Sequence, residues 1–117
     1  YEPSRIGAGT KIDNLCHFGH NAQIGKNCLI TAAFSSAGSI KVGDNCVFGG
    51  RSSINGKVEL TDGVTIAPLS GVTNDIEKPG VYGGYPPIEF KEFLKVQASL
   101  SSLPRLRKNV AKIMKQL

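Results

Sequence analysis

Every sixth residue from Ile6 onward (Ile6, Ile12, Phe18, Ile24, Ile30, Ser36, Val42, Phe48, Ile54, Leu60, Ile66, Val72) is apolar in eleven cases of twelve. The residue after each is small or polar, and four positions on lies a second set: Thr10, Cys16, Ala22, Cys28, Phe34, Ile40, Cys46, Ser52, Val58, Val64, Ser70 and Ile76. An α-helix turns about 100° per residue, so positions six apart would scatter over three faces and make no stripe. A flat strand fails as well. The pattern predicts one short strand and one turn per hexad, three strands closing a triangular coil, and coils stacked as parallel strands about 4.8 Å apart. Eighteen residues then form one coil, which places Ile6, Ile24, Val42 and Leu60 in one inward column and Ile12, Ile30, Phe48 and Ile66 in another. A polar turn column (Ala8, Lys26, Asp44, Asp62) followed by Gly9, Asn27, Asn45 and Gly63 is rich in residues that tolerate positive φ and is expected to face solvent.

The repeat ends near residue 77. Residues 78–87 (KPGVYGGYPP) hold too much Gly and Pro for regular structure and read as a capping or exit loop. Residues 88–117 read as a helical extension. Phe90, Phe93, Leu94, Gln97 and Leu100 share a helical face, Pro104 breaks or restarts the helix, and Leu103, Leu106, Val110, Ile113 and Leu117 follow a heptad spacing. That seam, two heptads long, would pack either on its own coils or in a three-helix bundle.

Length and charge refine this picture. A core of 117 residues would bury roughly two-thirds of the unfolded surface, so one core is expected. The first residue is Tyr1 and the repeat is in phase by Ile6, so a longer parent protein is expected. Neither a membrane span nor a secretory leader is visible. The net charge of +5 is divided unevenly, −1 up to Glu77 and +6 from Lys78 onward, which suggests an acidic partner for the tail or simply a solvated helix face. Cys16, Cys28 and Cys46 lack C-x-x-C spacing and share one repeat position, so reduced, buried thiols and a reducing cytoplasm are expected. A Cys28–Cys46 disulfide between neighbouring coils is geometrically conceivable.

The two histidines, His17 and His20, fall on one coil edge. The column above His20 holds Gly38 and Gly56 before Asn74, and His17 lies under Ser35, Ser53 and Gly71. The missing side chains leave an open strip that would admit an extended, thin ligand, although turn glycines also have a purely conformational explanation. Asn21, Asp13 and Asn14 are polar neighbours able to orient the ring or a ligand.

Four segments, IDNLCHFGHNAQIG (Ile12 to Gly25), AGSIKVGDNC (Ala37 to Cys46), GGRSSING (Gly49 to Gly56) and PGVYGGYPP (Pro79 to Pro87), resemble the C-terminal half of the UDP-3-O-(3-hydroxyacyl)glucosamine N-acyltransferases of lipid A biosynthesis in Gram-negative bacteria. The resemblance implies an all-β solenoid, a left-handed parallel β-helix of about four coils, which commonly assembles as a homotrimer with active sites between subunits. It implies His20 as general base and the backbone N–H of Gly38 as oxyanion donor. The acyl donor would ride on the phosphopantetheine of acyl carrier protein, and the acceptor would be a UDP-glucosamine-type sugar nucleotide, with no bound cofactor and no metal. Histidine suits the role because its unperturbed pKa, about 6.5, lies near cytoplasmic pH. Asn21, His17, Gly56 and Lys57 would line the substrate site. Lys57 stands where many family members carry a second histidine, so that residue's role does not carry over. The nucleotide-recognising N-terminal domain of the family is missing from this chain. Arg105, Arg107, Lys108, Lys112 and Lys115 would meet the acidic carrier protein.

Other classes fit less well. An O-acyl or acetyl-coenzyme A transferase on the same fold would share the histidine base. A γ-type carbonic anhydrase needs three zinc-binding histidines and the chain has two. A non-enzymatic solenoid would show a regular outward ladder, whereas these outward columns are mixed. Nucleic acid binding lacks a reading motif in the basic tail.

Overall fold

The computed structural model describes residues 2–117. Its strands are two or three residues long through the repeat: β1 (Arg5–Ile6), β2 (Lys11–Ile12), β3 (Gln23–Ile24), β4 (Leu29–Ile30), β5 (Ser35–Ser36), β6 (Lys41–Val42), β7 (Val47–Phe48), β8 (Ser53–Ile54), β9 (Glu59–Leu60), β10 (Val64–Ile66) and β11 (Gly71–Val72). There follow β12 (Gly80–Gly84), β13 (Pro87–Glu89), α1 (Phe90–Leu100) and α2 (Leu103–Lys115). Three sheets make the sides of a parallel solenoid of about four coils, the architecture expected from the hexads. Sheet A is β1-β3-β6-β9, sheet B is β2-β4-β7-β10-β12-β13, and sheet C is β5-β8-β11, extended downward by a parallel bridge from Ser35 to His17. Arg5 pairs Gln23, Lys11 pairs Leu29 and Ser35 pairs Ser53, each one coil of eighteen apart.

Both apolar positions of each hexad point inward. Ile24, Ile30, Val42, Phe48, Ile54, Leu60, Ile66 and Val72 are buried, and so are Ala22, Cys28, Phe34, Ile40, Cys46, Val58 and Val64. Phe18, Phe34 and Phe48 stack through the interior with ring centroids 5.5 and 4.8 Å apart. Burial of an Ile or Phe side chain contributes about 1.5–3 kcal/mol, repeated at every level, and this opposes the entropy of ordering so many tight corners. Ile6 and Ile12 stay half exposed because no coil of this chain lies beneath them. The one polar residue of the first inward set, Ser36, is buried with its hydroxyl unpaired, as is Ser52 of the second set. The three thiols are free; Cys28 and Cys46 are buried, Cys16 partly so, and each Sγ points at a backbone carbonyl of the next coil.

The corners repeat even more strictly than the core. Residues 9, 15, 21, 27, 33, 39, 45, 51, 57, 63 and 69 all have φ between 55° and 79°. At the corner after sheet A these are Gly9, Asn27, Asn45 and Gly63, as the sequence suggests. At the other two corners they include Leu15, Ala33, Arg51, Lys57 and Leu69, residue types that do not favour that conformation. From the second coil on, one recurring bond offsets that strain: the N–H of each left-handed residue from Asn27 to Leu69 donates to a carbonyl nineteen positions back, for example Asn27 to Ala8 and Leu69 to Gly50 (both 3.0 Å).

Two expectations need correction. Ile76, assigned above to the second inward set, pairs with Leu60 sixteen residues back, because the chain between Val72 and Ile76 is two residues short of a hexad. Asp75 Oδ1 seals the irregularity by accepting from the Glu59 N–H at 2.8 Å. Residues 78–87 are not an irregular loop: β12 continues sheet B over β10 and β13 folds back antiparallel to it. The glycines serve close packing there. A Cβ on Gly83 would lie 3.1 Å from the Phe90 ring and 3.3 Å from Ala67 Cβ, so α1 can seat only over a bare strand.

The helical extension is present, broken at Ser101 and Ser102 with Pro104 in the first turn of α2, where its missing N–H costs nothing. Phe90 and Phe93 of α1 pack on the hairpin with ring centroids 5.9 Å apart. Every residue of α2 is exposed, Leu103, Leu106, Val110 and Ile113 included, as is Leu117 beyond its end, so the heptad seam is not spent on the coils. Among the described residues, no helix is long and apolar enough to cross a membrane.

Candidate active site

His20 follows the short His17–Phe18 edge of sheet C and sits, exposed, at the corner where the chain turns back toward sheet A. Gly38 lies directly above it, one coil on. A Cβ built on Gly38 would fall on the imidazole, within 2.7 Å of both ring carbons flanking Nε2. Gly38 does not have a positive φ, since the left-handed residue of that corner is Ser39. The glycine is therefore explained by the imidazole and not by the turn. Gly56, one coil higher, has near-open space: its Cβ would meet only the Gly38 carbonyl at 3.3 Å and Ala37 Cβ at 3.7 Å.

The Gly38 peptide is fixed on three sides. Its carbonyl accepts from Lys57 N–H at 3.0 Å, the preceding Ala37 N–H donates to Ile54, and the following Ser39 N–H donates to the His20 carbonyl at 2.8 Å. Its own N–H finds no oxygen acceptor among the described residues. At the corner after sheet A the equivalent N–H groups are covered: Lys26 N–H donates to Asp44 Oδ1 at 2.8 Å, and Asp44 N–H to Asp62 Oδ1 at 2.7 Å, each carboxylate coming from one coil above. At the His20 corner the residue one coil above is Gly56, which has no carboxylate. A fixed backbone donor is thus left open beside an imidazole, the pairing that stabilises an oxyanion during acyl transfer.

His17 begins the same edge, exposed, and the column above it runs Ser35, Ser53, Gly71. The strip expected from the sequence is present. It rises about 14 Å over three coil spacings and is roofed by Tyr85, whose ring lies 3.0 Å from where a Cβ on Gly71 would stand. A cavity of about 220 Å³ under this roof is lined by Arg51, Ser53, Asn55, Leu69 and Ser70 as well as Gly71 and Tyr85. Arg51 and Tyr85 were not singled out by sequence. Tyr85 sits in a segment legible only as a cap, and Arg51 needed the corner geometry to be seen at the strip.

The remaining candidates separate. Asn21 is on the His20 corner, but both ends of its amide are engaged: Oδ1 accepts from Gln23 Nε2 at 3.1 Å and Nδ2 donates to Ser39 Oγ at 3.4 Å. Asp13 and Asn14 lie at the preceding corner, where Asp13 Oδ1 accepts from Asn14 N–H and the Asn14 carbonyl accepts from Ala33. They do not share the His20 corner. Lys57 is exposed one coil above Ser39, with φ 64°. The five tail cations are on α2, away from the coil corners. Arg105, Lys108, Lys112 and Lys115 share one stripe by their 3-4-3 spacing, while Arg107 lies three and four residues from Val110 and Leu103 and so borders the apolar seam. Among the described residues, no three His, Cys, Asp or Glu side chains are grouped to hold a metal ion.

Comparison with known proteins agrees with the fold. The family model for the bacterial transferase hexapeptide (six repeats) matches residues 3–32. A solved hexapeptide transferase family protein from Anaplasma phagocytophilum superposes with a TM-score of 0.60 at 24% identity, over 89% of this chain and 67% of that one, which shows the shared fold. The chain has the hexapeptide-repeat β-solenoid fold. More particularly, it is homologous to part of the UDP-3-O-acylglucosamine N-acyltransferases. It is 46% identical to the one from Campylobacter lari over 86% of this chain and 31% of that protein. The figures are 50%, 86% and 32% for Campylobacter jejuni subsp. doylei, and 48%, 97% and 33% for Gloeobacter violaceus. The chain spans about a third of the length of the relatives it matches.

Proposed function

We propose that the chain carries the acyl-transfer site of a UDP-3-O-acylglucosamine N-acyltransferase acting in lipid A biosynthesis in the cytoplasm. The observation that carries the reading is the imidazole of His20 packed under Gly38, whose fixed N–H is left without an oxygen acceptor. A 3-hydroxyacyl thioester on acyl carrier protein lies along the sheet C strip with its carbonyl oxygen at the Gly38 N–H. The 2-amino group of the sugar nucleotide attacks the carbonyl carbon while His20 takes a proton from the nitrogen. The tetrahedral oxyanion rests on the Gly38 donor, of a kind whose removal typically costs about 3–4 kcal/mol. The C–S bond then breaks and the leaving thiolate receives the proton from the imidazolium. Neither a covalent enzyme intermediate nor a cofactor enters.

The strip supports a thin, extended donor: Ser35, Ser53 and Gly71 keep it low and Tyr85 closes its upper end. His17, Gly56 and Lys57 border the same face and contact substrate. The stripe of Arg105, Lys108, Lys112 and Lys115 meets the acidic carrier protein. The exposed seam of α2 supports assembly as a homotrimer, in which a neighbouring subunit would cover apolar surface that this chain leaves to water. The test is transfer of a 3-hydroxyacyl group from acyl carrier protein to UDP-3-O-acylglucosamine by the purified protein, with acetyl-coenzyme A as competing donor. Amide product from the carrier thioester supports the proposal, whereas acetyl transfer alone overturns it in favour of a sister transferase on the same fold.

A further inference from the structure

We propose that Ser39 is a positioning residue for acyl transfer, setting the spacing between the base and the oxyanion donor; the proposal rests on the reading of His20 and Gly38 given above. Ser39 touches the His20 corner at two points. Its N–H donates to the His20 carbonyl at 2.8 Å, and its Oγ accepts from Asn21 Nδ2 at 3.4 Å. Because Ser39 directly follows Gly38, these two bonds fasten the residue pair His20–Asn21 to the very peptide whose preceding N–H faces the reacting carbonyl.

The clamp continues on the other side of Asn21. Gln23 Nε2 donates to Asn21 Oδ1 at 3.1 Å and to the Pro3 carbonyl at 2.9 Å, so the amide is held from the segment before β1 through to the coil above. The equivalent left-handed residues at the sheet A corner, Asn27 and Asn45, make the backbone bond to Ala8 and Lys26, at 3.0 and 2.9 Å, but their side chains form no such link among the described residues. The backbone bond belongs to the fold. The side-chain link is peculiar to the corner that carries the imidazole, and it engages an asparagine that would otherwise be free to follow the substrate.

Three variants test this in the intact protein with the carrier-protein donor and sugar-nucleotide acceptor. Ser39→Gly removes the hydroxyl and keeps a residue suited to φ 59°. Ser39→Asn restores a side-chain acceptor in a residue type that already occupies the left-handed positions 21, 27 and 45. Gln23→Leu releases the other end of Asn21. Misplacing a catalytic group by a fraction of an ångström costs on the order of tenfold or more in rate. Ser39→Gly should therefore lower kcat about tenfold with KM for both substrates within about twofold, and Ser39→Asn should recover most of the loss. Gln23→Leu should lower kcat less, and its effect should shrink in the Ser39→Gly background. Unchanged kcat in Ser39→Gly, or a raised KM at constant kcat, overturns the proposal, the second because it would make Ser39 a substrate contact. A lowered melting temperature that accounts for the loss, without recovery by Ser39→Asn, also overturns it. His20→Ala is assayed alongside: if it keeps turnover, the underlying reading fails with the proposal, whereas its inactivity beside an unaffected Ser39→Gly condemns the proposal alone.

Discussion

The imidazole of His20 lies against the α-carbon of Gly38 so closely that no side chain can stand between them. Two residues eighteen apart in sequence thus form one chemical unit. Where the sheet A corner spends an aspartate on the equivalent N–H, this corner has Gly56 and leaves the donor open.

The first prediction concerns that contact. Gly38→Ala requires no change of backbone, because Gly38 is not in the left-handed region, but its methyl group occupies the place of the imidazole. Thermal unfolding should stay within a few degrees of the parent while transfer falls by about a hundredfold, the scale of losing an oriented base. Gly56→Ala, whose methyl would meet the Gly38 carbonyl at 3.3 Å, should cost far less. Equal loss in both would contradict the seating of the His20 imidazole against Gly38.

The upper end of the strip should set which donors fit. Tyr85→Ala removes the ring over Gly71 and is expected to raise turnover of longer acyl chains relative to shorter ones. Gly71→Met fills the floor under the ring and should shift preference toward shorter chains. A series of acyl carrier protein thioesters of increasing length, assayed in competition, reads both shifts.

Charge reversal on α2 separates its two faces. Lys108→Glu with Lys112→Glu should raise KM for the carrier-protein substrate at low ionic strength, and the difference should close as salt is added, because exposed charges are screened beyond about 8 Å at physiological salt. Arg107→Glu, at the border of the apolar seam, should instead alter sedimentation more than carrier affinity.

Cys46 makes a stability prediction with a defined sign. Burial pushes its thiol up from 9.0 to about 11. The folded state therefore holds the proton more tightly than the unfolded chain, and the contribution is complete below pH 9 and lost as pH rises toward 11. Urea unfolding of the protein and of Cys46→Ala between pH 8 and about 11 should give curves that converge as the pH rises.

Much of this was legible beforehand because the signal is periodic. The inward columns from Ile24 to Val72 follow from residue type and spacing alone, since a hexad that buries two residues tolerates few other patterns, and Pro104 marks the restart of the helix. The strip beside His20 was legible for the same reason. Ile76 was not, because a two-residue deletion changes register without changing the apolar pattern around it. The hairpin of β12 and β13 was hidden by composition: its glycines look like a loop until Phe90 and Phe93 are seen lying on them. Positive φ at Leu15, Arg51 and Leu69 could not be read from those side chains, and with it went the placement of Arg51 at the strip. Asn21 looked like a free polar ligand, and only coordinates reveal that both ends of its amide are taken.

The most direct test of the central claim is single-turnover N-acyl transfer by the parent protein and by His20→Ala, with assembly state and melting temperature measured on the same samples. The account predicts that His20→Ala folds and assembles as the parent does, binds both substrates, and loses the chemical step by at least about a hundredfold. An intact His20→Ala protein that transfers the acyl group at the parent rate would contradict it.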